Sequence, residues 1–95
     1  MPLTFHVTKE IFQMYLHKQK LHEYREYNQY WHTRALNLHP GDDIAICEGY
    51  SSNFIHMYLV DSKGIQYDDL PEYAKKFFIP YQGILDFELS HSKKG

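Results

Sequence analysis

Apolar residues recur along this chain in short runs broken by polar turns, and the spacing within each run predicts many short strands with one good helix between the first two. Leu3 to Val7 alternates as a strand does. Thr8 follows as a helix N-cap, and Glu10 falls in the first turn, where the helix dipole favours an acid. Ile11, Phe12, Tyr15 and Leu16 then share one helical face, with Lys18 and Lys20 at the C-terminal end. Leu21 to Glu26 reads as a strand with Glu23 and Arg25 on one face and His22 and Tyr24 on the other. Tyr27 to Leu38 reads as a loop followed by a short helical turn that carries Trp31 and Arg34.

The second half follows the same rhythm. Pro40-Gly41-Asp42 is a turn signal. It leads into Asp43 to Glu48, whose Ile-Ala-Ile-Cys run predicts a strand buried on both faces. The chain turns at residues 49–53, and Phe54 to Val60 returns as another strand. Asp61-Ser62-Lys63-Gly64 reads as a hairpin-type turn with Ile65 to Tyr67 as a short extension beyond it. Asp68 to Phe78 predicts a short helix or turn, with Pro71 near its start and Pro80 past its end. Ile84 to Leu89 is a final strand, and Ser90 to Gly95 is expected to fray. The sum is a small α+β fold built on a curled sheet or barrel.

Composition narrows the class. Ninety-five residues suffice for one domain and one modest core, and 43% hydrophobic with 23% charged residues is the balance of a folded soluble protein. No apolar run approaches the about 20 residues that span a bilayer, and the first residues lack the pattern of a signal peptide. Cys47 is the only cysteine, so no internal disulfide forms; its apolar neighbours predict a buried, inert thiol. A reducing, cytoplasmic setting is expected. The net charge of −2 argues against strong sequence-independent DNA binding. Up to His39, however, five Lys or Arg stand against three acids, and beyond it five Lys stand against nine. The N-terminal half is mildly basic.

The stretch from Lys20 to Arg34 carries the candidate chemistry. Its fifteen residues hold two Arg, one Lys, two Glu, two His, three Tyr and the sole Trp. Charge mixed with flat aromatic surface is the pairing that holds planar polar ligands such as nucleobases. Lys20, Glu23, Arg25 and Arg34 form a candidate polar constellation, with Glu23 accepting from an amine or activating water and the cations holding a phosphate or oxyanion. The plain alternative is a set of strand-surface charges paired with one another. Tyr30 and Trp31 are candidates to stack a base, although a lone Trp also serves as core or lid. The seven histidines show no metal-ligand spacing, so neither a metal nor another cofactor is expected. No nucleophile elbow, P-loop or dinucleotide fingerprint occurs.

Lys20-Leu21-His22-Glu23-Tyr24-Arg25, placed after a helix and ahead of Pro40-Gly41-Asp42-Asp43-Ile44, resembles the ASCH domain of the PUA-like superfamily. That family shows a helix ending in a Gly-Lys-Lys-Thr-like turn, a strand ending Glu-x-Arg, then a Gly-Asp leading into a strand. Tyr24-Arg25-Glu26 with Tyr30, Trp31 and Arg34, followed by Glu48-Gly49-Tyr50, is similar to a small variant found in phage and bacterial genomes. The resemblance runs from Leu3 to Leu89. It implies a single ASCH-like domain over residues 1–95: a small β-barrel with one main N-terminal helix, short additional helices, and a cleft for RNA or a nucleotide-like ligand. Some small members are amidohydrolases that deacylate modified cytidine with a turn Lys and a Glu.

By position the resemblance makes Lys20 and Glu23 the catalytic candidates, and Arg25, Tyr30, Trp31, Arg34 and Tyr50 the ligand-binding ones. Two departures stand out: Lys18 replaces the turn Gly, and Leu21 replaces the Thr after the Lys, which removes a hydroxyl. Glu48 and Glu72 are the options for a second catalytic Glu, and neither sits in a matching motif. The leading expectation is therefore a module that binds RNA or a modified nucleotide. The alternatives are an N-acylcytidine amidohydrolase, and a phage protein that binds and inhibits a host protein through its Tyr-rich surface. No membrane partner is expected.

Overall fold

The computed structural model describes residues 3–93. Five strands, β1 (Leu3–Val7), β2 (His22–Glu26), β3 (Asp43–Glu48), β4 (Phe54–Ile65) and β5 (Ile84–Ser90), form one sheet in the order β1-β3-β4-β5-β2. β1 runs parallel to β3, and every other neighbouring pair is antiparallel. Three helices complete the α+β fold: α1 (Lys9–Leu16), α2 (Gln29–Leu36) and the single turn α3 (Glu72–Lys75). The sheet is curled into a half-barrel whose edge strands, β1 and β2, do not pair among the described residues.

Alternation along each strand builds the core. Phe5 and Val7 of β1, Ile44 and Ile46 of β3, Met57 and Leu59 of β4, and Leu85, Phe87 and Leu89 of β5 pack into one cluster. Phe12 and Tyr15 of α1 close over it, with Trp31 and Ala35 of α2 packed against its margin. Each of the larger side chains stabilises the fold by about 1.5–3 kcal/mol through burial. A second, smaller cluster of Leu70, Ala74 and Ile84 lies around α3 and receives Tyr24.

Local signals explain the helix ends. Thr8 caps α1, its Oγ1 accepting from Ile11 N at 3.3 Å. At the other end Gln19 N donates to Met14 O at 2.8 Å and Lys18 N to Tyr15 O at 3.0 Å, the two bonds of a Schellman motif. Lys18 occupies the left-handed position of that motif at φ 60°, where glycine is normally found. α2 begins at Asn28, whose Oδ1 accepts from Trp31 N at 2.9 Å.

Several expectations need correction. The segment read as a loop and short helical turn contains α2, which is as long as α1, so no single helix dominates. Asp61–Gly64 is no turn: these residues pair with Glu88 to Leu85 of β5, and β4 runs on past a bulge between Leu59 and Asp61. One extra residue bends a strand and strengthens its twist, so the bulge lets β4 bridge the two halves of the curled sheet. β3 is buried on one face only; Ala45 and Cys47 point away from the core, and Cys47 is half-buried rather than sealed. Leu16 leaves the apolar face of α1 and is 51% exposed. Ser90 is the last residue of β5 rather than part of a frayed tail, and the expectation for Lys94 and Gly95 lies outside the described residues.

Candidate functional site

A cleft of about 380 Å³ opens at the gap between the edge strands, and the row Lys20, Glu23 and Arg25 lies in it. Strand geometry accounts for half of this. In the β2–β5 register Glu23 faces Phe87 and Arg25 faces Leu85, so both side chains turn toward the core side, while His22 pairs with Asp86 on the other face. The turn after α1 accounts for the rest. It carries Lys20 down to the floor of the cleft, and Leu89 N donates to Leu21 O at 2.8 Å to hold the chain there.

The three charges are deeply engaged. The side chains of Lys20 and Glu23 are 4% and 7% exposed, with Lys20 Nζ 3.8 Å from Glu23 Oε1. Glu23 Oε1 accepts from Tyr15 Oη at 2.6 Å, and Glu23 Oε2 meets Arg25 Nη2 at 2.8 Å. Lys20 Nζ donates to His22 O and to Tyr73 Oη, and sits 4.9 Å from the Tyr24 ring centre, 5.3 Å from that of Tyr73 and 5.4 Å from that of Tyr15. Three aromatic faces around an ammonium replace part of its lost hydration. An ammonium has three protons; two are used in these hydrogen bonds, and the Glu23 carboxylate stands 3.8 Å away as its ion-pair partner.

Arg25 spans the gap. Its Nη2 donates to His6 O of β1 at 3.3 Å, and its guanidinium lies 5.0 Å from the Trp31 ring centre and 5.1 Å from that of Phe5. Its Nε is buried without an acceptor, an unmade hydrogen bond of the kind that gathers where shape is set by something other than stability. Trp31 stacks on Phe5 at 5.3 Å and meets Phe87 edge-on at 6.4 Å, so it is anchored to the core while lining the cleft.

Burial pushes the Tyr15 phenol far above its ordinary range, reinforced by the negative charge and hydrogen bond of Glu23. Tyr15 therefore remains a proton donor to that carboxylate. Burial also raises Tyr24, with Asp86 and Tyr73 adding to the shift.

The remaining candidates lie elsewhere. Tyr30, Arg34 and Tyr50 line a second cavity beside the cleft, with Arg25 and Trp31 shared between the two. Glu48 and Glu72 line neither; Glu72 is exposed and pairs with Lys75 at 3.5 Å, and Glu48 Oε1 accepts from Asn53 Nδ2 at 3.4 Å. Among the described residues no group of three or more His, Cys, Asp or Glu side chains is placed to hold a metal ion. Among the described residues no helix is long and apolar enough to cross a membrane.

Sequence reasoning missed Tyr15, Tyr73 and His6. Tyr15 occupies a core position where Leu or Phe would pack equally well, and a buried hydroxyl there implies a polar partner; that signal was available. Tyr73 meets Lys20 across 53 positions of sequence, and no local pattern announces it. The chain matches no protein-family model, and no curated protein aligns significantly with it.

Proposed function

We propose that this cleft binds a nucleotide-like ligand, a base of RNA or a modified nucleoside, in the manner implied by the resemblance to ASCH domains. The observation that carries the reading is the pair of buried charges Lys20 and Glu23, with half-buried Arg25 beside them, on the floor of an aromatic-walled cleft. Its volume falls in the range of small-ligand sites, and it offers both a carboxylate acceptor and cationic donors to the polar edge of a base. Buried ion pairs contribute little net stability, so selection for folding alone gives weak reason to keep three charges there.

Trp31 is the sole tryptophan and lines the cleft, so intrinsic fluorescence reads occupancy directly. The test is a titration with ribonucleosides, N-acylated cytidine and short single-stranded RNA. Saturable quenching is expected, and Arg25→Ala and Lys20→Met should each weaken it by about tenfold or more, a loss of about 1.4 kcal/mol. If none of these ligands perturbs Trp31, the reading fails.

A second reading is hydrolysis of an N-acylated cytidine, favoured by the burial of Lys20 beside Glu23. Glu23 would take a proton from water as its oxygen bonds to the acyl carbon. Lys20 would steady the resulting oxyanion, and the C–N bond would break as Glu23 passes that proton to the departing amine nitrogen. Binding remains the better-supported function because both oxygens of Glu23 are already engaged, by Tyr15 and by Arg25. Release of carboxylic acid from N-acylcytidine, lost in Lys20→Met, would favour the hydrolase.

A further inference from the structure

The second cavity, of about 450 Å³, lies against the cleft and shares His6, Arg25 and Trp31 with it as a common wall. Beyond Leu3 and Thr4 of β1, its other lining comes from two separate elements: Tyr30 and Arg34 from α2, and Tyr50 from the turn between β3 and β4. The cleft contains Glu23 and Glu26, whereas no carboxylate lines the second cavity. On a chain of net charge −2, an acid-free concavity that holds Arg34, with Arg25 on the shared wall paired to Glu23 from the cleft side, is a local reversal of sign.

Arg34 has donors to spare. Its Nη1 donates to Tyr30 O at 3.0 Å, its guanidinium lies 3.4 Å from the Tyr30 ring centre, and it makes no ion pair with any acid among the described residues. A guanidinium carries five N–H groups in a fixed fork, and the fork suits phosphate oxygens. Tyr50 is 92% exposed, yet it is placed rather than loose. It stacks on His6 at 4.4 Å, and His6 Nδ1 donates to Gly49 O at 2.7 Å while Gly49 N donates to Val7 O at 2.8 Å. Gly49 takes a positive φ of 55°, which sets the turn that brings Tyr50 back over β1. Isolated exposed tyrosines are ordinary surface. Two that converge with an unpaired arginine, from different elements, form a stacking platform beside an anion site.

We infer that this cavity is a subsite for the phosphate and neighbouring base of a single-stranded oligonucleotide whose first base sits in the cleft. This rests on the nucleotide-binding reading of the cleft. Arg34, with Arg25 at the shared wall, meets the linking phosphate, and Tyr50 or Tyr30 stacks the next base. The ligand is then an internal nucleotide of a chain and not a free nucleoside.

The test follows Trp31 fluorescence in titrations of the four ribonucleosides, their 3′- and 5′-monophosphates, and homopolymeric trinucleotides of each base. Trinucleotides are expected to bind about tenfold or more tighter than nucleosides, the scale of one stacked base. Arg34→Gln and Tyr50→Ala should remove that gain and leave nucleoside affinity unchanged, with melting curves confirming the fold. The slope of log affinity against log salt should flatten in Arg34→Gln by about 0.7, one phosphate contact to a single strand. Equal binding of nucleoside and trinucleotide overturns the subsite and leaves the cleft standing; so does an equal loss of both ligands in Arg34→Gln. Binding of neither ligand overturns the cleft reading and the subsite together.

Discussion

Neutralising Glu23 while keeping its shape isolates the charge that organises the cleft. In Glu23→Gln the carbamoyl group still reaches Tyr15 and Arg25, but no anion remains beside Arg25 and Lys20, which now face a carboxylate at 2.8 and 3.8 Å. Removing one member of a buried ion pair costs about 3–5 kcal/mol. Two features hold this case at the lower end. The Arg25 side chain is 23% exposed, so solvent screens part of its charge, and Lys20 keeps His22 O and Tyr73 Oη as acceptors. The expected loss is about 3 kcal/mol, which in a domain of this size lowers the melting midpoint by about 12–24 °C. Urea unfolding of wild type, Glu23→Gln, Lys20→Met and the double variant measures both the loss and its sharing. With the lysine also removed, the double variant should lose less than the sum of the singles, by about 0.5–3 kcal/mol. A loss below about 0.5 kcal/mol in Glu23→Gln, the range of an ordinary surface change, refutes the picture of a mutually dependent network. Strict additivity refutes it too.

Three further outcomes follow from the geometry. Because the folded-state pKa of Tyr15 lies above its unfolded value of 10.0, its contribution is intact below about pH 10 and falls by about 1.4 kcal/mol per pH unit above it; urea titrations between pH 9 and 11 should show a shallower decline in Tyr15→Phe, and an unchanged slope would contradict the assignment. Lys18→Gly relieves a left-handed residue but loosens the unfolded chain, for a net gain of about 0.5 kcal/mol, read as a rise in melting midpoint of about 2–4 °C; a fall would mean the Lys18 side chain contributes what the structure does not show. Cys47, half-buried opposite exposed Phe54, should react with a small thiol reagent in the native state at a rate insensitive to low urea, and a rate that tracks global unfolding would mean the thiol is sealed.

The parts of the fold legible in the sequence are those where side-chain period and local turn chemistry agree. β1, β2 and the first half of β4 alternate, β5 stands out by its apolar residues although it is buried on both faces from Ile84 to Phe87, and Thr8 announces α1. The failures occur where tertiary pairing overrides a local signal. Asp-Ser-Lys-Gly reads as a turn by composition, yet β5 supplies a partner for each of these residues and keeps them extended. Tyr-Trp-His-Thr has weak helix propensity, and α2 forms because Asn28 caps it and Trp31 and Ala35 anchor it to the core. Ile-Ala-Ile-Cys reads as buried on both faces, yet Ala45 and Cys47 are small enough to sit on a half-covered face. The placement of Lys20, Glu23 and Arg25 was legible because one turn and one strand period set it. The split of Arg34, Tyr30 and Tyr50 into a separate cavity was not, since it depends on where α2 docks and how the β3–β4 turn folds back.

Lys18 and Leu21, where the sequence departs from the ASCH pattern it resembles, bear differently on the site. Lys18 keeps the backbone conformation that a glycine would supply, so the turn that buries Lys20 survives at the cost of some strain. Leu21 is exposed, and its position contributes a backbone carbonyl to Leu89 rather than a side chain to the cleft. The polar role next to Lys20 falls instead to Tyr15 and Tyr73, both hydroxyl bearers that reach the floor from other elements. A hydroxyl held at 2.6 Å by a carboxylate, on a phenol that burial keeps protonated, orients and donates; it is poorly suited to act as a nucleophile. The hydroxyls of Tyr15 and Tyr73 therefore fix the positions of Glu23 and Lys20, and any hydrolytic step would have to draw its nucleophile from water.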